Sequence, residues 1–434
     1  MSIAALDLPT TSLIDLPIIP HTVHEFGIEA HYPDASWEAA FNGPIQVWTD
    51  AEGQRTHAVT VRLARMKDPV ARELYSEILL FYVSDAEMHG MHNVYDMARQ
   101  FPCTRIGGPR KPAPTCPRRH GNLWYAANPE GIIMEDVRLA PTTLPDGFPG
   151  FFVTGQGYRG KLVMPDDEFI HDVGVYGGYL DPRERPESLE LTHLFGGLEF
   201  MTQKPGTQED MFLTELGCDI WVRGIIGSLP SELHVESYKN SVRLPERDHG
   251  RTRIGARSMS ETKLLPYFES RQEDAMHGYT LCGFIDGLPN AVGGEVWPHV
   301  HRVGLGSNFV PCPEKGGYLG LIHVVLDRNN PEHPETRDPK HPDIEEQYEG
   351  WFVWLTYEGD EGLPTIQSCV RALTPDDVPR CYHGLGELFD TKRVAFPISL
   401  YREGDTLQVG YGWGDRALFQ AEYNYRTVVD WLTT

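Results

Sequence analysis

The sequence predicts an all-β chain that folds as one unit, residues 1–434. Three observations carry this. Short apolar or alternating runs recur with turns between them, and amphipathic helical patterns are scarce. The 43 glycines and 34 prolines are spread along the chain and do not collect in a linker. Short runs rich in β-branched and aromatic residues, bounded by Gly, Pro, Asn or Asp, read as strands joined by hairpins.

The runs appear in order. Pro44-Ile45-Gln46-Val47-Trp48, the turn Asp50-Ala51-Glu52-Gly53 and His57-Ala58-Val59-Thr60-Val61-Arg62 form a first hairpin. Gly150-Phe151-Phe152-Val153-Thr154, Gly317-Tyr318-Leu319-Gly320-Leu321-Ile322-His323 and Trp351-Phe352-Val353-Trp354-Leu355 are further strands. Near the end, Ile398-Ser399-Leu400-Tyr401 and Thr406-Leu407-Gln408-Val409-Gly410 flank the turn Arg402-Glu403-Gly404-Asp405. Helical patterning is confined to residues 68–84 and 426–432, and residues 331–345, dense in Pro, Asp, Glu and His, read as a surface loop. An all-β chain of this size hides its sheet edges in a sandwich, a barrel or a propeller, and no strict short repeat chooses among them.

Composition limits the partners. The formal charge is 38 − 62 = −24, which repels phosphate backbones and anionic lipid heads, so no nucleic acid and no membrane surface is expected as a partner. A local basic pocket can still hold a small anion. The seven cysteines are scattered with no Cys-x-x-Cys pair, so neither a disulfide framework nor a zinc site is expected. The first twenty residues carry Asp7 and Asp15 and lack a basic segment before an apolar run, which is not a secretory signal. Cytoplasmic localisation is the expectation, and a homo-oligomer is compatible with it.

Five stretches, in order, carry a resemblance. They are Phe41-Asn42-Gly43-Pro44 followed by Val61-Arg62; Gly131-Ile132-Ile133-Met134-Glu135-Asp136-Val137-Arg138; Arg302-Val303-Gly304-Leu305-Gly306-Ser307 with Gly317-Tyr318-Leu319 and His323; the strand from Tyr348 to Leu355; and Phe396-Pro397 with Tyr411-Gly412-Trp413-Gly414-Asp415. Together they resemble the β-mannoside phosphorylases of glycoside hydrolase family 130 and the related β-mannosyltransferases. Val137 stands where that family has proline, Ser307-Asn308-Phe309 replaces a proline run, and Val324 replaces a glycine. Residues 160–300 align poorly.

The resemblance implies a five-bladed β-propeller, with residues 1–20 as an extension and inserted loops within 160–300. It also implies an inverting enzyme of β-mannosides, a phosphorylase releasing α-mannose 1-phosphate. A small oligosaccharide or sugar phosphate would then be its partner and inorganic phosphate a co-substrate, with no cofactor. Asp136 matches the general acid. Asn42, Arg62, Arg138, Tyr411 and Asp415 match the sugar-binding stretches. Their chemistry suits hydroxyls, since amide, carboxylate and guanidinium supply both acceptors and donors. His323 matches a phosphate contact, and Tyr348 and Arg159 are further candidates, with Lys161, Arg223 and Arg253 unranked beside them. Each has a bland alternative: turn carboxylates, a turn asparagine, a strand arginine, a satisfied core histidine. A hydrolase, a nucleotide-sugar-dependent mannosyltransferase and a non-catalytic sugar-binding propeller also stay open. His299-x-His301 and the pair His89 and His92 lack companion ligands at metal spacing, so no metal is expected. Gly304-x-Gly306 lacks the third glycine of a dinucleotide fingerprint.

Overall fold

A computed structural model describes residues 17–107, 133–195 and 300–433, apart from breaks at 35–36, 51, 69–72, 89–92, 160–171, 190, 332–335, 358–363 and 383–390. It also describes the short strands Arg118–His120, Leu123–Tyr125, Ile220–Trp221 and Val242–Arg243. The described residues are mostly strand, with few and short helices, so the chain is all-β.

The described strands form three main sheets. In the first, Ala39–Phe41 and Ile45–Thr49 both pair with Arg55–Asp68; Arg55–Asp68 pairs with Glu73–Val83, Glu73–Val83 with Cys103–Ile106, and Cys103–Ile106 with Ser188–Leu189. The second is an antiparallel meander of Ile133–Thr143, Pro149–Arg159, Asp172–Leu180 and Thr192–Phe195. The third runs from Val300–Leu305 through Tyr318–Asp327 and Glu346–Tyr357 to Lys392–Glu403, Thr406–Trp413 and Ala417–Asn424. Its outer strand is His21–Ile28, so the two ends of the described chain lie in one sheet (His21 opposite Tyr423).

Side-chain alternation explains how the sheets stack. On the first sheet Val59, Val61, Leu79 and Phe81 pack with Val394, Phe396, Ile398 and Leu418 of the third. The intervening residues Ala58, Ile78, Leu80 and Tyr82 face Val137, Leu139, Phe151 and Val153 of the second. A strand buried on both faces reads as a continuous apolar run, and each fully buried Leu or Phe contributes roughly 1.5–3 kcal/mol of transfer free energy.

One expectation is corrected. The helical pattern over 68–84 is instead the strand Glu73–Val83, preceded by the end of Arg55–Asp68. Leu79, Leu80, Phe81, Tyr82 and Val83 are all buried, and antiparallel pairing of Val61 with Leu79 and His57 with Val83 decides the conformation. The terminal helix is Tyr425–Trp431, with the Asn424 side chain accepting the Thr427 N–H as its N-cap. The predicted hairpins form, with Ile45 opposite Val59 and Leu400 opposite Val409.

Candidate functional site

Backbone conformation singles out the same polar residues that the motifs did. Six non-glycine residues among those described have positive φ, and Asn42 (45°), Asp136 (49°) and Asp415 (50°) are three of them. Such a conformation is uncommon outside glycine and costs about 1–3 kcal/mol, so it persists where the surroundings over-determine it.

Each has a local cause. Asn42 follows the strand Ala39–Phe41 and precedes Gly43, whose backbone lies so close to the Thr60 carbonyl that an added Cβ would sit 1.7 Å from its oxygen. Asp136 lies in a β-bulge. Arg138 opposes Thr154 and Glu135 opposes Gln156, leaving Asp136 and Val137 across from Gly155 alone. Asp415 follows Gly414 (φ 57°) in a tight turn closed by the Arg416 N–H donating to the Trp413 carbonyl at 2.8 Å. Positive φ at both central positions is the geometry of a type I′ turn.

Three of the motif stretches then meet. The Ala40 N–H donates to the Arg416 carbonyl at 3.1 Å, tying the Asn42 segment to the Asp415 turn. A Cβ on Gly412 would lie 2.1 Å from Asn42 Oδ1, so Gly412 leaves the space that this amide occupies. Asn42 is only 7% exposed, and its Oδ1 is buried without a hydrogen-bond partner among the described residues. An unsatisfied buried acceptor costs about 1–3 kcal/mol, which a hydroxyl-bearing ligand would relieve. Phe41 pairs with Arg62 across the sheet, and Arg62 Nη1 reaches to 3.8 Å from Asp136 Oδ1, both side chains being buried. Arg62 also lies over the Phe41 ring, 5.5 Å from its centroid.

Phe396 joins the remaining pieces. The Arg138 guanidinium lies 5.5 Å from its ring centroid and the His323 ring 4.6 Å. His323 is buried, and Tyr348 stacks beyond it at 6.3 Å, its hydroxyl donating to Glu346 Oε2 at 3.2 Å. Arg138 has no exposed surface, and burial pushes its pKa down to about 10, with Asp136 acting in the opposite sense. Tyr411 is equally buried in the apolar cluster, where its hydroxyl donates to the Asp377 carbonyl. Burial, reinforced by Asp377, pushes that hydroxyl well above the usual tyrosine range.

Asn42, Arg62, Asp136 and the Asp415 turn are thus brought together, while Arg138 and Tyr411 lie in the packed interior behind them. Arg159 ends the strand Pro149–Arg159 opposite Asp172. The side chain of Arg159 lies outside the described residues, as do Lys161, Arg223, Arg253, His89, His92, His299 and the His301 side chain.

Several buried polar groups escaped the motif reading. Asn308 accepts from Gln46 Nε2 at 2.7 Å and from the Leu400 N–H at 3.0 Å, and donates to the Leu400 carbonyl at 2.9 Å. Ser307 Oγ accepts the Leu321 N–H at 2.9 Å. The stretch that replaces the proline run is therefore a structural tie between sheets. Glu349 is buried and holds Arg371 through both carboxylate oxygens, at 2.7 and 2.5 Å. It also accepts from Gln347, which in turn accepts from Arg328. A glutamate inside an apolar strand was the signal available for it.

Solved structures similar to the chain include mannoside phosphorylases. A β-1,2-mannobiose phosphorylase from Listeria innocua is 13% identical, with 92% of each chain covered and a TM-score of 0.35. A mannose phosphorylase from Leishmania mexicana in complex with phosphate is 11% identical, covering 94% of this chain and 90% of that one at a TM-score of 0.41. A glycosyl hydrolase from Bacteroides ovatus is 12% identical, covering 96% and 93% at a TM-score of 0.38. No protein-family model matches the chain, and no curated protein matches it. With identities of 11–13% and TM-scores of 0.35–0.41, these likenesses carry no functional assignment, which rests on the residues themselves.

Proposed function

We propose that this protein is an inverting carbohydrate-active enzyme of β-mannosides, a phosphorylase releasing α-mannose 1-phosphate, built as a five-bladed propeller. Carrying the reading is the gathering of three left-handed polar residues from separate motifs, Asn42, Asp136 and Asp415, with Arg62 beside Asp136. Cleaving a glycosidic bond needs a proton for the leaving oxygen and a nucleophile at the anomeric carbon. Asp136 is the proton donor in this reading. Asn42, Arg62 and Asp415 hold the sugar hydroxyls. Inorganic phosphate, rather than a cofactor, is the second reactant, taken up beside His323 and Tyr348 with Arg159 as a further ligand.

The bond balance is simple. A phosphate oxygen forms a bond to the anomeric carbon from the face opposite the leaving group. The glycosidic bond breaks, and its electron pair takes the proton of Asp136. One displacement inverts the anomeric centre.

The test is incubation with α-mannose 1-phosphate plus mannose or N-acetylglucosamine, following released phosphate. Release is expected and should fall by about 10²–10⁴-fold in Asp136→Asn. Hydrolysis of β-mannosides in phosphate-free buffer, with no phosphate release, would overturn the phosphorylase in favour of a hydrolase on the same site. Transfer from a nucleotide sugar would point to a mannosyltransferase.

A further inference from the structure

We propose that Arg138 is a positioning residue that holds Asp136 in its left-handed conformation, and not a sugar contact. The inference rests on the role proposed above for Asp136. Arg138 follows Asp136 by two residues, and its side chain turns back along its own backbone. Nη1 donates to the Asp136 carbonyl at 2.9 Å and to the Val137 carbonyl at 3.2 Å. Nε donates to the carbonyl of Gly306, the residue that follows the strand Val300–Leu305 of the third sheet. One guanidinium therefore gathers three carbonyl oxygens from two segments.

Two of those carbonyls belong to the bulge itself. Turning both towards one cation fits the positive φ of Asp136, a conformation that a non-glycine residue would otherwise leave. The third acceptor is itself anchored, because the Gly306 N–H donates to the Leu321 carbonyl at 2.9 Å. The Phe396 ring lies over the guanidinium, 5.5 Å from Cζ. Arg138 has no exposed surface, so a ligand arriving from solvent meets Asp136 and Arg62 before it meets Arg138. With its pKa at about 10 the guanidinium stays charged near neutrality, and charged donors make the stronger hydrogen bonds. Geometry matters as much as charge, because lysine offers one nitrogen where arginine offers a planar fork.

Full-length Arg138→Lys and Arg138→Met test this by crystal structure and by kinetics. Asp136 should lose its positive φ in both, and its carboxylate should leave Arg62, now at 3.8 Å. In the phosphorolysis assay kcat should fall by about 100-fold with KM within a few-fold, the signature of a displaced catalytic group. Retention of the Asp136 conformation in either variant overturns the proposal. A raised KM at unchanged kcat overturns it too, since that marks a sugar contact. Failure of Arg138→Lys to fold also overturns it, because the residue would then be a core element. An inactive parent enzyme sinks the proposed reaction alone, and the conformation of Asp136 in the two crystals still decides the role of Arg138.

Discussion

Replacing Asn42 by glycine separates stability from function at a single position. The residue has φ 45°, and its side-chain Oδ1 is buried without a partner among the described residues. Glycine removes the left-handed penalty of about 1–2 kcal/mol and the unsatisfied acceptor, worth about 1–3 kcal/mol. Against this stand roughly 0.4–1 kcal/mol of extra unfolded-chain entropy and the lost packing of a small side chain against Gly412. The balance favours Asn42→Gly by about 1 kcal/mol. With an unfolding entropy of roughly 2.1 cal/mol/K per residue over 434 residues, this is a rise in Tm of about 1 °C. Mannoside phosphorolysis should meanwhile fall by at least about tenfold, as one hydroxyl contact is lost. Calorimetry or urea unfolding reads the first quantity, and phosphate release reads the second. A Tm several degrees lower, or turnover equal to the parent's, would refute the view that Asn42 is strained for the sake of a ligand.

Two further outcomes concern the frame around the site. Glu349→Ala leaves the buried Arg371 without its bidentate carboxylate and should cost about 3–5 kcal/mol, a fall in Tm of roughly 3–5 °C for a chain this long. A variant within about 1 °C of the parent would refute a cost of this size. His21 tests pH dependence. Burial pushes its pKa down, but the hydrogen bond and charge of Asp377, with the Ile19 carbonyl, outweigh it and leave the pKa raised. A raised folded-state pKa gives stability that is complete below the unfolded value of about 6.5 and is lost as pH rises through the folded value. The advantage of the parent over His21→Gln should therefore shrink as pH rises above about 6.5 in urea titrations. An advantage that grows with pH would contradict the assignment.

Sequence reading succeeded where a local pattern decides the structure. The hairpin around Arg402-Glu403-Gly404-Asp405 and the turn Gly414-Asp415 follow from turn chemistry, since glycine accepts positive φ at little cost. The terminal helix, expected over 426–432 from its pattern, forms over Tyr425–Trp431. It failed at residues 73–83, where apolar spacing fits a helix or a doubly buried strand equally well and pairing with Arg55–Asp68 settles the matter.

Local sequence thus determined an all-β chain of alternating strands and turns, and the resemblance of its motifs marked polar residues such as Asn42, Arg62, Asp136 and Asp415. Only the tertiary structure decided their conformation and company. An aspartate within an apolar run reads as an ordinary strand residue. The two-against-one pairing opposite Gly155 puts Asp136 in the left-handed region, 3.8 Å from Arg62 of another sheet. It likewise placed Arg138 and Tyr411 in the interior, because burial depends on which sheet packs over a strand. The physical reason is range. Turn and cap preferences act over a few residues, whereas bulges, buried charges and unsatisfied acceptors arise from contacts between separate strands, from Asp136 with Gly155 in the next strand to Asn42 with Gly412 at the far end of the chain.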